Sequence, residues 1–112
     1  MAFEQLKVGS VQVIRPFDRL DGGTAPELDR ALQALLAAGT QKLLLDLGRL
    51  EFISSAGMRT VLMAGKALRA QQGRLALCGV HGMVKEIFDV SGFLSLFEVA
   101  ADLEAGVKLL ED

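Results

Sequence analysis

The sequence predicts an α/β fold: a mostly parallel five-stranded sheet with an antiparallel N-terminal strand, and four helices. Three observations carry this. Strand and helix patterns follow one another in the order strand, strand, helix, then strand and helix three times. Such alternation favours parallel strands joined by right-handed crossovers. Leu43-Leu44-Leu45-Asp46-Leu47 is an apolar run short enough for a buried strand. The first two strand patterns are separated only by Gly9-Ser10, a two-residue hairpin spacing with its glycine first. The first strand is therefore expected to lie antiparallel, at or near an edge.

Each element has its own signal. Apolar residues alternate over 3–8 and 11–17, and Pro16 marks a sheet edge or a strand terminus. Residues 18–23 read as a polar loop with Leu20 as its core anchor. Thr24-Ala25-Pro26-Glu27 has the form of a capping box, with Pro26 in the first helical turn. Leu28, Leu32, Leu35 and Leu36 then make one apolar stripe, and Gly39 ends the helix. After the strand at 42–47 comes a turn around Asp46, Gly48 and Arg49, and Phe52 and Ile53 return the chain to the core.

A second helix is expected over 55–72, with Met58, Val61, Leu62, Gly65 and Leu68 inward and Gly73 as its stop. Residues 74–78 form a strand with Leu75 and Leu77 on one face and Ala76 and Cys78 on the other. A short helix over 83–91 turns Val84, Ile87 and Phe88 inward and stops at Gly92. A last strand at 96–99 and a helix over 102–110, packed through Leu103, Val107 and Leu110, complete the chain.

Length and composition narrow the function. The 112 residues suit one domain spanning 1–112, and an apolar content of 51% argues against disorder. Net charge is −2, with Lys and Arg scattered among Asp and Glu, and Trp and Tyr are absent. A basic stripe or stacking platform for nucleic acid is therefore not expected. The apolar runs are too short to insert in a membrane. The start Met1-Ala2-Phe3-Glu4-Gln5 lacks the basic-then-apolar order of a signal peptide. The single cysteine excludes an internal disulfide, and cytoplasm is the simplest compartment.

One His and one Cys cannot build a zinc cluster. A catalytic triad would need His81 to reach Ser54 or Ser55, which do not stand in Gly-x-Ser-x-Gly. No phosphate-binding Gly-Lys-Ser/Thr loop occurs. No catalysis, metal or cofactor is expected. His81 reads as a surface residue starting a helix, and Cys78 as a small buried apolar group.

The candidate site lies at Ser54-Ser55-Ala56-Gly57. The serines stand where a helix begins, beside unpaired N–H groups and the positive end of the helix dipole. A phosphate is electrostatically welcome there. Either serine could equally be an N-cap, and on the residues alone the cap reading is favoured. Ala56 and Gly57 would leave the backbone open to a partner; alternatively, Gly57 is a poor helix former tolerated near the helix end. Asp21, Gly22, Gly23 and Thr24 form a loop expected at the same carboxyl edge of the sheet, where α/β proteins bind. Arg59, Met63 and Lys66 line the outer face of the second helix. Met63 there is either ordinary surface or an apolar contact of a recognition face.

The segment Asp46-Leu47, Leu50, Phe52-Ile53, Ser54-Ser55-Ala56-Gly57-Met58 resembles the signature of STAS domains, specifically the bacterial anti-sigma factor antagonists. The resemblance extends to Leu20-Asp21, to Thr24-Ala25-Pro26-Glu27-Leu28 and to Phe88-Asp89-Val90-Ser91-Gly92-Phe93. It implies a STAS-type α/β domain without catalysis, in which Ser55 is the phosphorylated residue. It further implies that the unphosphorylated form binds an anti-sigma factor that is also a serine kinase of the histidine-kinase-like ATPase type. Binding frees a sigma factor; phosphorylation abolishes binding, and a metal-dependent Ser/Thr phosphatase restores it.

Two positions depart from the family pattern. Asp18-Arg19 replaces the common Gly-Glu, and Ser54 replaces the Asp common before the acceptor. Both change charge at the expected contact surface. Within the fold, the alternative is a STAS module of a transporter or signalling assembly. A phospho-aspartate receiver would need an acidic pair and a lysine where Gly9-Ser10 and Ala100-Ala101 stand.

Overall fold

The structure, a computed structural model, describes residues 3–111. Strands β1 (Phe3–Val8) and β2 (Val11–Pro16) form the expected hairpin, paired from Phe3↔Pro16 to Val8↔Val11. Gly9 takes the left-handed conformation that the tight turn needs. Strands β4 (Lys42–Asp46), β6 (Arg74–Cys78) and β7 (Glu98–Ala100) add in parallel, giving the order β1-β2-β4-β6-β7. The antiparallel β1 is an edge, as expected. Pro16 marks the terminus of β2, which lies inside the sheet.

Side-chain alternation sorts the core into two layers. Leu43 and Leu45 of β4, with Leu75 and Leu77 of β6, face the larger cluster. That cluster contains Leu28, Leu32 and Leu35 of α1 (Ala25–Ala37), Val61 and Leu68 of α2 (Ser55–Ala70), and Val84 and Phe88 of α3 (Gly82–Ser91). Leu44, Ala76 and Cys78 face the other side, against Val107 and Leu110 of α4 (Leu103–Glu111). Cys78 is fully buried, and burial pushes its thiol up to about 12. It is a packing group with negligible thiolate at neutral pH.

Several boundaries differ from the sequence reading. The loop predicted over 18–23 opens with a short strand, β3 (Asp18–Leu20), paired in parallel with β5 (Leu50–Ile53) as a separate two-stranded sheet. Asp18 has φ +55, and the ladder shifts register immediately after it. A three-residue strand behind such a kink shows no legible period, although Leu20 is buried as predicted.

The capping box does not form. Thr24 Oγ1 donates to Arg19 O (2.9 Å) and accepts from Asp21 N (3.0 Å), so it caps nothing in α1. Helix α2 ends at Ala70, before the predicted 72, and the left-handed residue is Gln72 (φ +67), not Gly73. Gly73 is needed for a different reason: a Cβ there would lie 2.9 Å from Gln41 O. Ala64 joins the buried face of α2, while Met58 and Leu62 are only partly buried. Residues 93–96 form a 3-10 turn instead of beginning a strand, so β7 starts at Glu98. Gly39 and Gly92 terminate α1 and α3 with positive φ, as expected.

Candidate functional site

The β3–β5 pair, unseen in the sequence, is what assembles the site. It ends at Leu20 on one strand and Ile53 on the other, both buried. Ser54 N donates to Leu20 O at 2.9 Å, so the end of β3 is tied to the start of α2. The loop 21–24 therefore emerges beside the serines, as the sequence reading required.

The two serines divide the roles that the sequence left open. Ser54 has extended backbone, and its Oγ accepts from Gly57 N at 3.2 Å. It is the N-cap. It stands where the family pattern commonly has Asp, a residue that caps equally well. Ser54→Ala is expected to lower stability by about 1 kcal/mol, read as a lower melting temperature. Ser55 is the first residue of α2, exposed, and its hydroxyl bonds to no described residue.

Asp21 organises the adjoining loop. Its Oδ1 accepts from Gly23 N (3.0 Å) and Thr24 N (3.2 Å), and its Oδ2 accepts from Arg19 Nε (3.2 Å). The Arg19 bond, then the Gly23 amide, holds this carboxyl below the usual carboxylate range. The loop's closure is thus complete above the ordinary carboxylate pKa and weakens as pH falls through the lowered value. Arg19 also lies over the Phe52 ring, 4.6 Å from its centroid. The loop and α2 share a shallow cleft of about 350 Å³ lined by Gly22, Ala56, Arg59 and Thr60, with Pro26 and Asp29 of α1.

Gly57 corrects one expectation. It is buried, not open to a partner. A Cβ on it would lie 2.5 Å from Leu20 O and 2.9 Å from side-chain atoms of Ile53 and Leu20. The glycine lets α2 sit directly on the β3–β5 ends. Asp21 and Thr24 are half-buried, whereas Gly22, Gly23, Ser55 and Ala56 are exposed. Arg59, Met63 and Lys66 are exposed along α2, but Lys66 lines a different hollow from the cleft at Arg59.

A family model of the STAS domain matches residues 3–106. BtrV of Bordetella bronchiseptica, named as an anti-sigma factor antagonist, is 46% identical over 86 residues, covering 77% of this chain and 74% of that protein. The chain belongs to the STAS-domain anti-sigma factor antagonist family. Two solved structures agree on the fold. An anti-sigma factor antagonist from Mycobacterium paratuberculosis superposes with a TM-score of 0.89 at 21% identity, covering 98% of this chain and 93% of that one. The phosphorylated form of the Bacillus cell fate determinant SpoIIAA gives 0.76 at 25% identity, covering 96% and 99%.

Sequence reasoning missed the brace beneath this STAS site. Asp46 Oδ2 accepts from Arg15 Nε (3.0 Å), and Asp46 Oδ1 accepts from Gly48 N (3.0 Å). Arg15 Nη1 also donates to Glu4 (2.7 Å), its cross-strand partner in β1. The expected hairpin register by itself pairs Glu4 with Arg15, so that half was available. The other half depends on β2 lying beside β4. His81, exposed as predicted, precedes α3, and its Nε2–H donates to Gly48 O at 2.9 Å. The brace thus holds the Gly48 turn that launches β5. No helix among the described residues is long and apolar enough to cross a membrane.

Proposed function

We propose that this protein is a phosphorylation-switched antagonist whose acceptor is Ser55, and that its partner is an anti-sigma factor with serine-kinase activity of the histidine-kinase-like ATPase type. The observation that carries the reading is the division of labour between the serines. Ser54 holds the helix cap, which leaves Ser55 exposed at the positive end of α2, its hydroxyl without a bond among the described residues. The unphosphorylated protein binds the partner in the cytoplasm and frees a sigma factor. Transfer of the ATP γ-phosphoryl group to Ser55 Oγ releases ADP and the hydroxyl proton. A metal-dependent Ser/Thr phosphatase hydrolyses the ester and resets the switch.

The contact surface follows from the shared cleft. It comprises Asp21 to Thr24, Ser54 to Ala56, and the outer face of α2 from Arg59 to Met63. Phosphorylation adds about −1.5 to −2 charges at neutral pH. Ser55 and Arg59, one helical turn apart, are both exposed, so the added charge falls within the surface that the partner covers. The switch therefore works by changing a surface, with no rearrangement of the core.

The test uses the purified protein with its cognate anti-sigma factor on native gels. A complex that forms without ATP and dissolves when ATP and Mg²⁺ are added is expected for the wild type. With Ser55→Ala the complex should persist under both conditions. Dissolution of the Ser55→Ala complex by ATP would remove Ser55 from the mechanism.

A further inference from the structure

Away from the serines, α2 borders a second surface. Two adjoining hollows, of about 200 and 270 Å³, run between the far half of α2 and the segment 95–98. They share Gly65, Arg69, Leu96 and Phe97. The hollow beside Lys66 is mainly apolar, whereas the one that reaches Glu98 is mainly polar. The Phe97 ring packs on Gly65, where a Cβ would lie 2.9 Å from ring carbon Cε1. Leu96, in the 3-10 turn, is 52% exposed.

The rim is charged. Four charged residues line the hollows: Lys66, Arg69, Arg74 and Glu98. Glu98 is taken by Arg74, whose Nε donates to it at 2.9 Å, with a second bond from Nη2. Lys66 and Arg69 have no anionic partner among the described residues. Helix α2 carries Arg59, Lys66 and Arg69 and no acidic residue, in a chain whose net charge is −2. Positive charge is thus concentrated around the mainly apolar hollow.

We infer that this groove is a second docking site, and that it takes an acidic amphipathic segment of a partner protein, with an apolar side chain seated on Leu96 and Phe97 and carboxylates on Lys66 and Arg69. A small apolar ligand fits less well, because each hollow is below the ~300 Å³ usual for such sites and both are open to solvent. Arg69 lies fourteen residues beyond Ser55, about 21 Å along the helix. Exposed charges that far apart are screened at physiological salt. The site is therefore insensitive to the charge on Ser55, and a partner tethered here remains attached through the phosphorylation cycle.

The test uses the full chain and fluorescence anisotropy with a labelled peptide of alternating Glu and Leu pairs. A neutral peptide with Gln for Glu serves as the comparison. The acidic peptide should bind, and should bind about tenfold more tightly than the neutral one. Arg69→Glu combined with Leu96→Ser should weaken it about tenfold, since one rim charge is reversed and one apolar contact is lost. Both positions are exposed, and an unchanged melt shows that the variant is folded. Affinity in Ser55→Asp should stay within about twofold of wild type. Equal binding of the two peptides, undiminished binding to the double variant, or no binding of the acidic peptide at millimolar concentration would each overturn the inference. Phosphorylation of Ser55 is read separately, so the two readings fail independently.

Discussion

Ser55→Asp is expected to fold like the wild type and to bind the anti-sigma factor about a hundredfold more weakly. The two halves of this result have different causes. Position 55 is the first residue of α2, where a carboxylate is favoured by the helix dipole by a few tenths to about 1 kcal/mol. The side chain is exposed, and the cap belongs to Ser54. The melting temperature should therefore hold or rise slightly. Binding is another matter. An anion buried at an interface without a matched cation costs about 2–5 kcal/mol, which brackets a hundredfold loss. Titration calorimetry with the anti-sigma factor, beside a thermal melt of each variant, measures both. Wild-type affinity in Ser55→Asp would mean that charge at this position is not the switch.

Gly57→Ala is expected to destabilise the protein by about 2–3 kcal/mol, a large effect for one methyl group on a helix. In an open helix the same change would stabilise by about 1 kcal/mol. Here the added carbon would stand 2.5 Å from Leu20 O, a backbone atom fixed by its bond from Ser54 N. Either α2 or the end of β3 must move. The displacement falls on the Ser54 cap and the loop 21–24, so phosphorylation of Ser55 should slow as stability drops. Denaturant melts and a phosphorylation time course check this. A Gly57→Ala protein as stable as wild type would show that the close approach of α2 to Leu20 is not required.

The parts legible in the sequence are those with local causes. Leu43 to Leu45 and Leu75 to Cys78 read as strands because every residue is apolar over the length of a buried strand. The hairpin reads from its two-residue Gly9-Ser10 turn between alternating strands, and the α1 stripe of Leu28, Leu32 and Leu35 from its helical period. What was hidden depends on contacts between distant segments. Strand β3 exists because β5 offers it a partner, and nothing in Asp18-Arg19-Leu20 announces that. Thr24 is a good N-cap by type, yet Asp21 and Arg19 hold its hydroxyl.

The serine pair shows the same division. Both residues are suitable caps in isolation. The pairing of Ser54 N with Leu20 O fixes which one turns inward. Gly57 read as an exposed small residue because its reason, the Leu20 carbonyl, lies thirty-seven positions earlier in the chain. The groove beneath Lys66 and Arg69 was equally invisible, since Leu96 and Phe97 reach it from the opposite end of the sequence.

The assignment of Ser55 is tested most directly by locating the phosphate. The wild-type protein is incubated with its cognate kinase and ATP, digested, and mapped by tandem mass spectrometry. A single phosphate on Ser55 is the expected result. Phosphate on Ser54, whose hydroxyl is occupied as the cap, or on Ser91 at the end of α3 would contradict it.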